Sequence, residues 1–87
     1  MPYVIAVYDV DTRRGAKMLR LFRRSLHWVQ NSVFEGDLSD SQLARLRLDA
    51  EAIMEEGDSL LLYRLRDERY AERIVVGRAK GDRSRFL

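Results

Sequence analysis

Tyr3-Val4-Ile5-Ala6-Val7-Tyr8-Asp9-Val10-Asp11 decides how this chain is read. Six successive apolar or aromatic residues, with β-branched Val4, Ile5 and Val7 among them, read as a buried central strand. The run ends in a carboxylate and passes at once into an arginine-rich segment of helical periodicity. An acidic strand tip beside a basic helix suggests phosphodiester chemistry. A carboxylate can hold Mg²⁺, which usually takes one or two acidic ligands and completes its octahedron with water, while arginines neutralise phosphates. The competing reading is that Asp9 simply closes the strand, since Asp and Asn commonly open turns.

Working outward, helix one is predicted from about Thr12 to Leu26, with Met18, Leu19, Phe22 and Leu26 on the side that packs against the sheet. Arg13, Lys17, Arg20 and Arg24 recur at steps of four, three and four and form a basic stripe on another face. That stripe is either a phosphate-binding surface or a solubilising one, because arginine and lysine are good exposed-helix residues. Trp28-Val29-Gln30 and Val33-Phe34-Glu35 read as two short strands joined by the turn pair Asn31-Ser32, or as one bent strand. Ser39 followed by Gln42 announces helix two as a capping box, and Leu43, Leu46, Ala50, Ile53 and Met54 give its buried stripe. Gly57 is read as the left-handed residue that ends this helix. Ser59 to Leu65 returns as a strong strand.

Strand, helix, strand, strand, helix, strand is the order of a ferredoxin-like α+β sandwich, βαββαβ, with both helices on one face of an antiparallel sheet. Arg73-Ile74-Val75-Val76-Gly77 is a further β-branched run beyond that plan. It is expected as an extra C-terminal edge strand that joins a partner subunit's sheet, or as an intrachain hairpin with Leu60–Leu65. Residues 1–78 are expected to form the domain. Residues 79–87 are expected to form a basic tail that orders only on a partner.

The 87 residues allow one modest core, and dimerisation would help to complete it. With 46% hydrophobic and 34% charged residues the composition is globular. No cysteine is present, which excludes disulfides, thiolate metal sites and a cysteine nucleophile. The lone histidine, His27, excludes a two-histidine site within one chain, and the scattered glycines exclude a P-loop. No serine lies in a nucleophile elbow. The sequence shows neither an N-terminal leader nor a run near the roughly 18 apolar residues of a membrane span, so a cytoplasmic protein without a membrane partner is expected.

A net charge of +2 hides segregation. Residues 1–27 carry six basic and two acidic groups, residues 28–63 two and eight, and residues 64–87 eight and four. Basic ends and an acidic middle are compatible with a nucleic-acid face opposed by an acidic back. Tyr8 and Phe34 can stack on unpaired bases or fill the core. In a twofold dimer, Asp9 from each chain can converge on one cation near the axis.

Val7-Tyr8-Asp9-Val10, the arginine-rich helix, and above all Val29-Gln30-Asn31-Ser32-Val33-Phe34-Glu35-Gly36 followed by Leu38 resemble the CRISPR-associated Cas-two (Cas2) family, the small partner of the spacer-integrating Cas-one (Cas1) protein. The resemblance spans roughly residues 3–77 and includes Asp58-Ser59-Leu60-Leu61-Leu62-Tyr63 as a matching strand. It implies a ferredoxin-like homodimer in which Asp9 is the catalytic residue and Mg²⁺ ligand of a metal-dependent endonuclease acting on RNA or DNA. It also implies a scaffold role in CRISPR adaptation, bridging the Cas1 integrase and holding duplex DNA. Arg13, Arg14, Lys17, Arg20 and Arg24 are then the phosphate-contact candidates, and Ile74–Val76 with the tail the Cas1-docking elements. Many members have arginine directly before Val-Gln where this chain has Trp28, which packs or stacks instead. A VapD-type toxin ribonuclease, acting on RNA without an integrase partner, is the alternative.

Overall fold

A computed structural model describes residues 1–77 of the chain. The elements are β1 (Tyr3–Asp9), α1 (Thr12–Arg23), β2 (His27–Gln30), β3 (Val33–Asp37), α2 (Asp40–Ile53) and β4 (Ser59–Leu65), followed by a single 3-10 turn over Glu68–Tyr70. The sheet order is β2-β3-β1-β4 with every pair antiparallel. This is the expected ferredoxin-like α+β sandwich, with β1 in the interior of the sheet. No helix among the described residues is long and apolar enough to cross a membrane.

Alternation along β1 sets the two faces of the sheet. Val4, Ala6 and Tyr8 point to the helices and join Met18, Leu21, Phe22, Leu26, Phe34, Leu38, Leu46 and Ala50 in one core. Tyr3, Ile5, Val7 and Asp9 point to the other face, which neither α1 nor α2 covers. Tyr8, Phe22 and Phe34 form an aromatic cluster at the centre, with ring centroids 5.3–6.0 Å apart. Both Tyr8 and Phe34 are therefore core residues, and neither is available to stack on a base.

Local chemistry explains most element ends. Asn31 adopts φ 45°, the left-handed conformation that a two-residue hairpin requires and that Asn tolerates. The indole N–H of Trp28 donates to the Asn31 carbonyl at 2.8 Å, so this residue fastens the hairpin while its ring packs beside the core. Ser39 and Gln42 make the full capping box at the start of α2. α1 stops at Arg23, three residues before the expected end. Leu26 still reaches the core because its amide bonds to the Phe22 carbonyl at 3.0 Å, folding the outgoing chain onto the helix. Gly57 has φ +93°, but α2 ends earlier, at Met54 in an extended conformation. The glycine instead serves the Glu55–Asp58 turn that launches β4, closed by the Asp58 amide on the Glu55 carbonyl.

Among the described residues no fifth strand forms and no hairpin joins residues 73–77 to β4. This segment passes beside the Tyr3 end of the open face, where Arg73 pairs with Glu35 at 2.9 Å. Ile74 and Val76 remain largely exposed. The tail expected over residues 79–87 lies outside the described residues.

Candidate active site and nucleic-acid interface

Asp9 is the last residue of β1, opposite Ser59 in the register with β4, and its side chain is exposed on the open face of the sheet. The chain must turn directly after it to enter α1, and Asp11 makes that entry. Its carboxylate caps the helix by accepting from the Arg13 amide at 2.9 Å and also accepts from Arg13 Nε at 3.0 Å. These bonds, the amide foremost, hold the Asp11 carboxyl below its ordinary range. Asp9 and Asp11 therefore do not act as a pair: one is a free carboxylate on the sheet face and the other a helix cap.

A second carboxylate, which no motif in the sequence marks as functional, stands behind this turn. Asp58 precedes β4, and its side chain is only 4% exposed. It accepts from Arg14 Nε at 2.6 Å, Arg14 Nη2 at 3.0 Å, the Asp11 amide at 3.0 Å and the Glu55 amide at 3.0 Å. Arg14 is the largest cause of a carboxyl held well below the usual range. Together Asp9, Val10, Asp11, Arg14, Glu56, Gly57 and Asp58 line a shallow depression of about 270 Å³ at the end of the sheet.

Among the described residues no group of three or more metal-ligating side chains is assembled. Within the depression Asp11 and Asp58 are committed to amides and guanidinium groups, which leaves Asp9 at the strand end and Glu56 in the turn before β4 as its uncommitted carboxylates. An exposed, unpaired carboxylate suits a hydrated divalent ion, but one chain supplies only part of such a site.

The ion-pair pattern sorts the basic candidates. Arg13 pairs with Asp11 at 3.0 Å, while Arg14, with its side chain 11% exposed, pairs with Asp58 and with Glu55. Arg45, Arg47, Arg64, Arg69 and Arg73 each have a carboxylate partner as well. Among the described residues Lys17, Arg20, Arg23 and Arg24 have none, and Arg66 has only the Tyr70 ring and hydroxyl. Among the described residues, uncompensated positive charge is thus concentrated on α1 and its C-terminal cap. Lys17, Arg20 and Arg24 line a groove of about 350 Å³ between α1 and α2, with Arg45, Asp49 and Ile53 on its far wall. From Lys17 to Arg24 the axial rise is about 10 Å, comparable to three nucleotides of one strand. The structure brings Lys17, Arg20 and Arg24 together and separates Arg14 from them. Arg14 stands outside the four-three-four series, and that offset is the one signal of its separate role that the sequence carries.

The groove lies between the helices and Asp9 at the end of β1, and Lys17, Arg20 and Arg24 do not line the depression that Asp9 borders. His27 is exposed at the start of β2, opposite Glu35 in the ladder.

Comparison with known proteins places these features in context. A family model described as CRISPR associated protein Cas2 matches residues 1–73. A protein of Dictyoglomus turgidum named CRISPR-associated endoribonuclease Cas2 is 42% identical over 86 residues, covering 98% of this chain and 99% of the relative. A protein of the same name from Methanothermobacter thermautotrophicus is 43% identical over 79 residues, covering 90% and 87%. Among solved structures, one titled as a crystal structure of cas2 superposes with a TM-score of 0.86 at 42% identity, over 93% of this chain and 92% of that one. Streptococcus pyogenes Cas2 at pH 6.5 matches with a TM-score of 0.70 at 27% identity, over 84% and 99%.

Proposed function

The chain belongs to the CRISPR-associated Cas2 family, and from that premise we propose that it is a cytoplasmic, homodimeric endonuclease acting on RNA whose reacting centre is built on Asp9. The observation that carries this reading is the contrast at the end of β1. Asp11 and Asp58 are saturated by amides and arginines, whereas Asp9 stands exposed beside the depression they support. Two copies of Asp9, one from each protomer, would hold a shared Mg²⁺. The bound ion would activate water and offset charge on the phosphate. Lys17, Arg20 and Arg24 bind nucleic-acid phosphates on the helical side, with Arg13 at the head of the same stripe. That surface also suits the family's second role, in which the dimer holds duplex DNA and bridges the Cas1 integrase during CRISPR adaptation.

Incubation of the purified protein with labelled RNA and duplex DNA, in Mg²⁺ or in chelator and with Asp9→Ala alongside, tests the reading. Metal-dependent RNA cleavage that disappears in the variant is expected. Cleavage that persists in Asp9→Ala overturns the assignment of the site. Duplex binding without any cleavage leaves the scaffold role and removes the nuclease one. Cleavage by a protein that does not bind Cas1 favours the toxin-like ribonuclease instead.

A further inference from the structure

We infer that Asp58 and Arg14 form a positioning pair that fixes the turn behind Asp9, and that Arg14 serves this strand end and not the phosphate-binding stripe. The inference rests on the reading of Asp9 as the reacting carboxylate. Asp58 reaches across 47 residues of sequence to the Asp11 amide and across 44 to the Arg14 guanidinium. It also caps the Glu55 amide of its own turn. Asp9 is thereby held from two directions. The ladder pairs it with Ser59, the neighbour of Asp58, and the turn that follows it is tied to Asp58 itself.

The chemistry of the pair defines what it can do. A carboxylate offers about four acceptor sites, and Asp58 accepts four hydrogen bonds. It has no capacity left for a metal or a substrate and is unsuited to be a ligand. Removing it would strand the Asp11 amide and a nearly buried guanidinium, and groups left in that state favour rearrangement of the loop. Arg14 in turn has its fork committed to Asp58, with Nη1 3.4 Å from Glu55. Bidentate guanidinium–carboxylate geometry of this kind fixes orientation as well as charge. A lysine at this position would keep the charge and lose the fork.

The test compares Asp58→Asn, Asp58→Glu, Arg14→Gln and Arg14→Lys with Lys17→Gln in the full-length protein. Readouts are amide hydrogen exchange over residues 10–13, the salt dependence of binding to a single-stranded RNA, and kcat and KM for cleavage of that RNA. Asp58→Asn is expected to speed exchange at Asp11 and to lower kcat by roughly 10- to 100-fold with KM unchanged, the scale expected for displacing a reacting group by about 1 Å. Asp58→Glu should restore part of kcat, and Arg14→Lys should behave more like Arg14→Gln than like the parent. Arg14→Gln should leave the salt slope unchanged, while Lys17→Gln should reduce it by about 0.7 for each phosphate no longer neutralised.

A salt slope reduced equally by Arg14→Gln and Lys17→Gln makes Arg14 a phosphate contact and overturns the inference. Unchanged exchange at residues 10–13 in Asp58→Asn also overturns it, as does a raised KM with unchanged kcat. Should the parent protein cleave no RNA, the reading of Asp9 fails on its own account, and the exchange and salt-slope measurements still decide whether the pair fixes the turn. Asp58→Asn keeps one acceptor oxygen, which guards against simple failure to fold.

Discussion

Tyr8 and Asp9 are consecutive residues that serve opposite faces of one sheet. Tyr8 is 7% exposed and packs on Phe22 and Phe34, whereas Asp9 points away from the helices into solvent. A shift of one residue in the β1 register would exchange them, placing a carboxylate in the core and a phenol at the reacting position. The apolar alternation of β1 is therefore what aims Asp9.

The contrast predicts separable effects at adjacent positions. Asp9→Ala should abolish cleavage and leave stability within about 0.5 kcal/mol of the parent, because the side chain is exposed and unpaired. Tyr8→Ala should cost about 3–5 kcal/mol by emptying the centre of the aromatic cluster. Denaturant titration of the two variants checks both outcomes.

Separation of the basic groove from Asp9 makes a second prediction. Lys17→Gln, Arg20→Gln and Arg24→Gln should each weaken duplex binding at low salt and lower the salt slope by about 0.9 for each phosphate no longer neutralised. Arg47→Gln should change neither quantity, because Arg47 faces solvent and is already paired with Glu51 at 3.1 Å. Binding isotherms at several salt concentrations distinguish the two groups.

How much of the molecule is legible in the sequence depends on the range of each interaction. The β1 run, the Asn31 turn and the Ser39–Gln42 capping box are local, and each forms as its residues dictate. Periodicity alone carries helix one three residues too far, because Leu26 obeys the buried spacing after the helix itself has ended. Gly57 suggests a helix end because glycine marks any left-handed position, and only the geometry shows that it belongs to the next turn. The Asp58–Arg14 pair is illegible because it exists only once β1 and β4 are in register. Asp9 stands out because a carboxylate ending an apolar strand is conspicuous in one dimension.

Gly57 supplies a stability prediction. Its φ of +93° costs an L-residue strain although nothing lies within 4 Å of a Cβ placed there. Gly57→Ala should therefore destabilise the protein by about 1–2 kcal/mol through backbone strain alone. A smaller loss for Gly57→Asn in thermal unfolding would identify the cause, because Asn tolerates left-handed geometry.

Stability should fall at both pH extremes for identifiable reasons. Asp58 is held well below the usual range by Arg14, and Asp11 and Asp67 are lowered by hydrogen bonds from Arg13 and Arg69 respectively. A carboxyl more acidic when folded than when unfolded stabilises the fold above its unfolded value of about 3.9 and loses that contribution as pH falls through the folded value. Unfolding midpoints should decline below about pH 4, less steeply in Asp58→Asn. Tyr3 is pushed the other way, up to about 12, by burial first and by the charge of Glu35. Its contribution is complete below an unfolded value of about 10 and is lost as pH rises toward the folded one, so Tyr3→Phe should flatten the alkaline decline.

The uncovered face of the sheet makes the last prediction. Leu61 and Tyr63 are 53% and 55% exposed and stand opposite Val7 and Ile5 in the register with β4, so four apolar side chains share a face that neither α1 nor α2 covers. An antiparallel sheet open to water normally carries polar residues there, and a contiguous apolar patch marks a contact surface. If a second copy covers it about a twofold axis, every substitution is felt twice. Leu61→Lys should then remove about 1.5–3 kcal/mol per side and weaken self-association by roughly a hundredfold or more. Analytical ultracentrifugation across a concentration series would show the midpoint moving upward. An unchanged dimer in Leu61→Lys and Tyr63→Lys would place the dimer contact elsewhere, and with it the route by which two copies of Asp9 are brought together.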